Sequence, residues 1–170
     1  MRDAVLYRER TPYPWWARAI LWSAVAGGAL ATLLVDQDGG TTPAARVGTA
    51  AGLLALGVAF ELLLGGLLVE VRPEGLRFGL GNARLLRGRI AWNDIARLES
   101  VRYRPIREFG GWGLRGTRRR RAWTARGDRA VVLHLVDGRE VWLGSDSPQR
   151  LEERIRAVAG ERFGGVRSGS

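Results

Sequence analysis

Two long apolar runs near the start of the chain limit its fold more than any other feature. Residues 19–35, AILWSAVAGGALATLLV, hold 17 positions without a charge, and residues 47–69 hold 23 with one, Glu61. At helical rise these reach roughly 26 and 35 Å against a hydrocarbon core of about 30 Å, so both can span a bilayer. The first would need local thinning or snorkelling by Arg18, and the second can tilt. Between them the segment 36–46, DQDGGTTPAAR, carries Gly39, Gly40 and Pro43 and reads as a turn. Trp15, Trp16 and Trp22 gather at the start of the first run, where amphipathic rings favour the headgroup level. A cleaved signal peptide is one alternative, with Ala29-Leu30-Ala31 as its small-residue site, but a second, longer run follows. A buried core hairpin is the other, and 23 apolar residues exceed ordinary core helices.

Orientation follows from the flanks. Arg2, Arg8, Arg10 and Arg18 precede the first span and Arg72 and Arg77 follow the second, while the connecting loop sets Asp36 and Asp38 against Arg46 alone. Positive residues stay in the cytoplasm, which predicts a hairpin with both termini cytoplasmic and the short loop outside. The expected divisions are a cytoplasmic segment 1–16, a first transmembrane helix 17–35, an external loop 36–46, a second transmembrane helix 47–69, a cytoplasmic domain 70–163 and a flexible tail 164–170. Small residues spaced by four, Ala24 with Gly28 and Gly27 with Ala31, then Gly48 with Gly52 and Ala51 with Ala55 and Ala59, predict close packing of the two spans. Glu61 lies eight residues before Val69, about 12 Å along a helix, and an intramembrane carboxyl is a candidate contact for another membrane protein. Protonation, a water defect or local pairing with Arg18 is the alternative.

The charge sits elsewhere. All 27 basic residues are Arg, the net charge is +10, and the excess lies beyond residue 70. Uniform use of Arg suggests coding bias, so the count alone does not argue for nucleic acid. With no Cys and a single His, His134, the chain lacks a disulfide framework, a thiolate nucleophile, Cys-ligated metal and a multi-His cage. No nucleophile–base pair, phosphate loop or metal spacing is present, so neither catalysis nor a cofactor is expected.

Beyond Glu70 the pattern changes to alternation broken by turn residues, the mark of short antiparallel strands. Strands are expected at 69–72 and 76–80 around Pro73-Glu74-Gly75. A turn at 81–82 leads to strands at 84–92 and 95–104. Further strands follow at 122–125, 131–136 and 140–143, the last two joined by the hairpin signal Asp137-Gly138. Val131, Leu133 and Leu135 would face one side, and Val132, His134 and Val136 the other. Ser147 as N-cap, Pro148 and a stop at Gly160 frame one terminal helix with a buried stripe of Leu151, Ile155 and Val158. The fold class is α+β: a helical hairpin, then about seven strands in a bent sheet or barrel capped by a helix.

Three segments carry a resemblance: YRPIREFGGWGLR at 103–115, VVLHLVDGR at 131–139 and LGSDSPQRL at 143–151. Together with the hairpin they resemble uncharacterised bacterial pleckstrin-homology-like (PH-like) membrane proteins. The resemblance implies two orthogonal antiparallel sheets with a C-terminal helix, and a binding module. The two-span architecture also resembles that of the photosystem I assembly protein. Arg118, Arg119, Arg120 and Arg121 stand where that pattern expects a neutral turn. Extended, such a run points two of its four side chains at phosphates, and each cation near an anionic leaflet gains about 1 kcal/mol. Trp112 and Arg115 in the neighbouring glycine loop are the other candidate contacts, with loop anchoring as the competing role for Trp112. The expected function is a scaffold, accessory subunit or assembly factor that docks on anionic headgroups or an acidic surface of another membrane protein. An independent lipid- or peptide-sensing envelope protein is the alternative, and no nucleic-acid partner is expected.

Overall fold

The N-terminal segment leading into the two long apolar helices is the first strand of a sheet. The computed structural model describes residues 4–34, 42–81 and 86–160. Chain order is β1 (Tyr7–Pro12), α1 (Trp15–Leu34), α2 (Pro43–Leu64), β2 (Gly66–Arg72), β3 (Gly75–Leu80), β4 (Leu86–Ala91), a 3-10 turn (Trp92–Asp94) and β5 (Ile95–Arg102). It continues with α3 (Pro105–Phe109), β6 (Gly113–Gly116), β7 (Arg120–Thr124), β8 (Arg129–Leu135), β9 (Glu140–Gly144) and α4 (Pro148–Ala159). The expected loop 36–46 and the turn at 81–82 lie partly outside the described residues, and the tail 164–170 lies wholly outside them.

The strands form a four-stranded antiparallel sheet, β1-β2-β3-β4, and a five-stranded sheet, β5-β8-β9-β7-β6, antiparallel except for the β7–β9 pair. Nine strands among the described residues replace the expected seven or so. The additions are β1 and β6, where charged and glycine-rich sequence hides the period.

Both helices are long and apolar enough to cross a membrane, with mean hydropathy of 1.5 and 1.4. The rest of the chain buries only 6% and 11% of their apolar windows, unlike helices that form a soluble core. They pack through fewer small residues than the spacing suggests. A Cβ on Gly57 would meet Val25 at 3.2 Å and the Trp22 ring at 3.4 Å, and one on Gly28 would meet Leu53 at 3.5 Å. Gly27, Gly48 and Gly52 face open space.

The second helix stops at Leu64, whereas the apolar run continues to residue 69. The reason is that β2 is a central strand: Leu67, Val69 and Val71 enter the core, and Leu68 is half-buried on the opposite face. A strand buried on both faces reads as an unbroken apolar run, and Gly65-Gly66 marks the change from helix.

The core lies between the sheets. Leu76, Phe78 and Leu80 of β3 meet Leu133, Leu143 and Trp123 of the second sheet, with Phe78 and Trp123 ring to ring at 5.0 Å. Leu151, Ile155 and Ala159 of α4 complete it, while Val158 sits at its margin. On β8, Val131, Leu133 and Leu135 face the core, and Val132 and His134 face away, as the alternation predicts. Ser147 caps α4 by position only; its side chain makes no cap hydrogen bond, and its own N–H donates to Ser145 Oγ at 3.0 Å. Strand β1 is fastened to the second sheet through Glu9, whose Oε1 accepts from Ser145 Oγ at 2.6 Å and from the Asp146 N–H at 3.1 Å.

Candidate functional site

The helices join the β-domain at one place. Strand β1 pairs with β2 so that Pro12 lies opposite Gly66; α1 starts three residues after the first and α2 ends two before the second. At this junction Arg18 Nε lies 2.8 Å from Glu61 Oε1, with the carboxylate 17% exposed. Glu61 is therefore three residues from the end of α2 rather than eight, and has a local partner. Of the alternatives for this residue, pairing with Arg18 is the arrangement observed.

The glycine loop reaches the same place. Gly110, Gly111 and Gly113 hold positive φ of 72°, 120° and 113°, which turns the chain sharply out of α3 into β6. This turn presents Trp112, whose indole N–H donates to the Gly127 carbonyl at 2.9 Å. Its ring also packs edge-on against Trp16, the second residue of α1, at 6.2 Å between centroids. Arg115 Nε donates to the Trp112 carbonyl at 3.3 Å. Trp112 and Arg115 thus stand together at the start of the first helix.

The arginine run does not act as a unit. Arg118, Arg119 and Arg121 are exposed, but Arg120 turns onto the outer face of the second sheet. Its Cζ sits 4.5 Å from the Trp142 ring centroid and 4.8 Å from that of Phe109. Its other groups pair with Glu108 at 3.0 Å and Glu140 at 3.4 Å. A guanidinium held between two rings and two carboxylates organises the protein itself. Beneath it lies a small cluster of Tyr103, Ala122, Ala130, Val132 and Trp142. The Tyr103 hydroxyl is buried without a well-formed hydrogen bond among the described residues; burial pushes its pKa up to about 12, against a smaller downward pull from the nearby Thr124 hydroxyl.

His134, Glu99 and Arg97 lie on the same outer face. His134 Nε2 is 2.9 Å from Glu99 Oε1 and 3.3 Å from Arg97 Nη2, and Nδ1 is 3.7 Å from Glu140. No group of three His, Cys, Asp or Glu among the described residues could hold a metal ion.

A second basic surface escapes linear reading because its residues come from four strands. On the outer face of the first sheet, Arg10, Leu68, Gly79 and Arg87 lie across one row, and Arg8, Glu70, Arg77 and Arg89 across the next. A cavity of about 510 Å3 opens there. Glu70 is 4% exposed; Arg8 Nη2 reaches its Oε1 at 2.8 Å, and Arg72 reaches its Oε2 at 2.8 Å. Arg77 pairs with exposed Glu74 at 3.2 Å, while Arg87 and Arg89 have no carboxylate partner among the described residues. The signal that could have found this face is the alternation of Arg with apolar residues across neighbouring hairpins, read after the strands are registered.

The chain matches no protein-family model, no curated protein and no solved structure.

Proposed function

We propose that this chain is a membrane-anchored, non-catalytic module of a bacterial inner membrane. In this reading the hairpin spans the bilayer with both ends cytoplasmic. The two-sheet, helix-capped domain is PH-like and docks through basic surfaces on anionic headgroups or on an acidic face of a neighbouring membrane protein. Its role is that of scaffold, accessory subunit or assembly factor. The observation that carries this reading is the junction: paired strands run directly into two uncovered apolar helices, with Trp112 seated on Trp16. Such a joint keeps the domain within a few residues of whatever solvates the helices.

The test uses the full chain, because a fragment starting at residue 70 would lack β1 and half of β2. The full-length protein is expected to stay on membranes through an alkaline carbonate wash, to be shielded from protease added outside intact cells, and to retain a stoichiometric membrane protein in mild detergent. Release by carbonate, or external digestion of the C-terminal part, would overturn the reading. The arginine-lined cavity favours a second reading, an independent lipid or peptide sensor, which purification without any stoichiometric partner would select.

A further inference from the structure

We infer that the cavity on the outer face of the β1-β2-β3-β4 sheet binds the phosphate headgroup of an anionic membrane lipid, an inference that rests on the membrane-anchored reading above. Strand alternation turns Leu67, Val69, Val71, Leu76, Phe78 and Leu80 into the core and sends the intervening arginines outward. Its volume, about 510 Å3, falls within the range of about 300–1,000 Å3 usual for small-molecule sites. Gly79 makes the recess: between Leu68 and Arg87 it has no side chain, leaving a floor of backbone and Leu68 walled by guanidinium groups.

The charges are arranged for an anion. Among the described residues Glu70 is the single carboxylate lining the cavity, and Arg8 and Arg72 already hold it. It acts as a positioning residue that fixes Arg72 at the rim. Arg87 and Arg89 sit two apart on one strand, on one face, with Cα atoms about 7 Å apart, so both forks can reach one phosphate. Arg77 lies beside Arg89 across the β3–β4 pair.

Placement selects a lipid over an acidic protein segment. Leu68 is four residues past the end of α2, so at most about 14 Å of chain separates the first row of the cavity from the helix. Polar headgroup layers are roughly 5–8 Å thick and an arginine side chain spans the rest. An acidic partner segment would need neither this placement nor a recess floored by Leu68.

The experiment titrates full-length protein in uncharged detergent micelles with dihexanoyl phosphatidate, inorganic diphosphate and hexaglutamate, followed by calorimetry. Phosphatidate is expected to bind saturably and most tightly. The variant Arg87→Gln/Arg89→Gln should weaken it by about 30-fold, the worth of two headgroup-facing cations. Arg150→Gln/Arg154→Gln, an equal charge change on exposed positions of α4, should leave the affinity within twofold. Circular dichroism and Tm of both variants report folding. Equal weakening by both variants would show diffuse attraction and overturn the proposal. So would absence of binding, or diphosphate or hexaglutamate binding as tightly as phosphatidate, which would assign a soluble phosphate or an acidic segment. A failed titration removes this inference alone, whereas release of the protein by carbonate removes the anchoring reading and this inference with it.

Discussion

Arg120→Gln should destabilise the β-domain where substitution of its neighbours does not. The guanidinium makes two ring contacts, at 4.5 and 4.8 Å, each worth about 0.5–1 kcal/mol at sites of this exposure. Its pairs with Glu108 and Glu140 are partly solvated, with the Arg120 side chain 43% exposed, and together add about 0.5 kcal/mol after screening. The sum is about 2 kcal/mol, or roughly 4–8 °C in Tm for a chain of this size. Arg119→Gln, at an exposed position, should stay within about 0.5 kcal/mol of the parent. Thermal unfolding of both full-length variants in micelles, followed by near-ultraviolet circular dichroism, measures the difference, because Trp142 lies under the guanidinium. If the two variants unfold within 1 °C of each other, or if Arg120→Gln weakens anionic lipid binding at unchanged Tm, the clamp reasoning fails and Arg120 belongs with the contact surface.

Glu9→Ala should lower stability by about 2 kcal/mol, read from the urea midpoint, because it removes the acceptor of two hydrogen bonds that fasten β1 to the second sheet. Tyr103→Phe should leave stability unchanged or raise it by up to about 1 kcal/mol, since the hydroxyl it removes is buried without a well-formed hydrogen bond among the described residues. A phenol raised to about 12 stabilises the fold below its unfolded pKa near 10 and loses that contribution as pH climbs between the two, so the Phe variant should resist alkaline unfolding better. Burial alone would raise the Glu152 carboxyl, but Ser100 Oγ at 2.6 Å and Arg156 at 2.8 Å outweigh it and hold the pKa below its ordinary value. The stability this gives is present above the unfolded pKa, about 4.3, and drains away as pH falls through the lower folded value; Glu152→Gln should flatten the loss between about pH 5 and pH 3. For Arg18 and Glu61, a double-mutant cycle with Gln should show coupling of about 1 kcal/mol in thermal unfolding, and additive effects would deny the pair any energetic role.

The hairpin and most of the second sheet were legible because their signals are local. Uninterrupted apolar length marks the helices, Asp137-Gly138 marks the turn between β8 and β9, and Val131, Leu133 and Leu135 alternate cleanly. Strand β1 was not legible, since its inward positions are Tyr7, Glu9 and Thr11, two of them polar, and Glu9 is held by Ser145 and Asp146, far along the chain. The end of α2 was obscured by a buried strand that continues its apolar run. At the candidate site, four consecutive arginines draw the eye but point in different directions, and one is consumed by an aromatic clamp. Arg8, Arg72, Arg77, Arg87 and Arg89 look scattered in sequence, and only the register of four strands gathers them.

The position of β1 ahead of the hairpin sets an order of events during synthesis. Its partner positions begin at Gly66, 54 residues after Pro12, so at about 5–20 residues per second the first strand waits roughly 3–11 s before it can zip. Both helices are made in that interval, and where they cross a bilayer as proposed they must return the nascent chain to its starting side, or the strand and its mate never meet. On that proposal closure of the sheet reports on successful threading, and a polypeptide stalled midway would display an open β-edge.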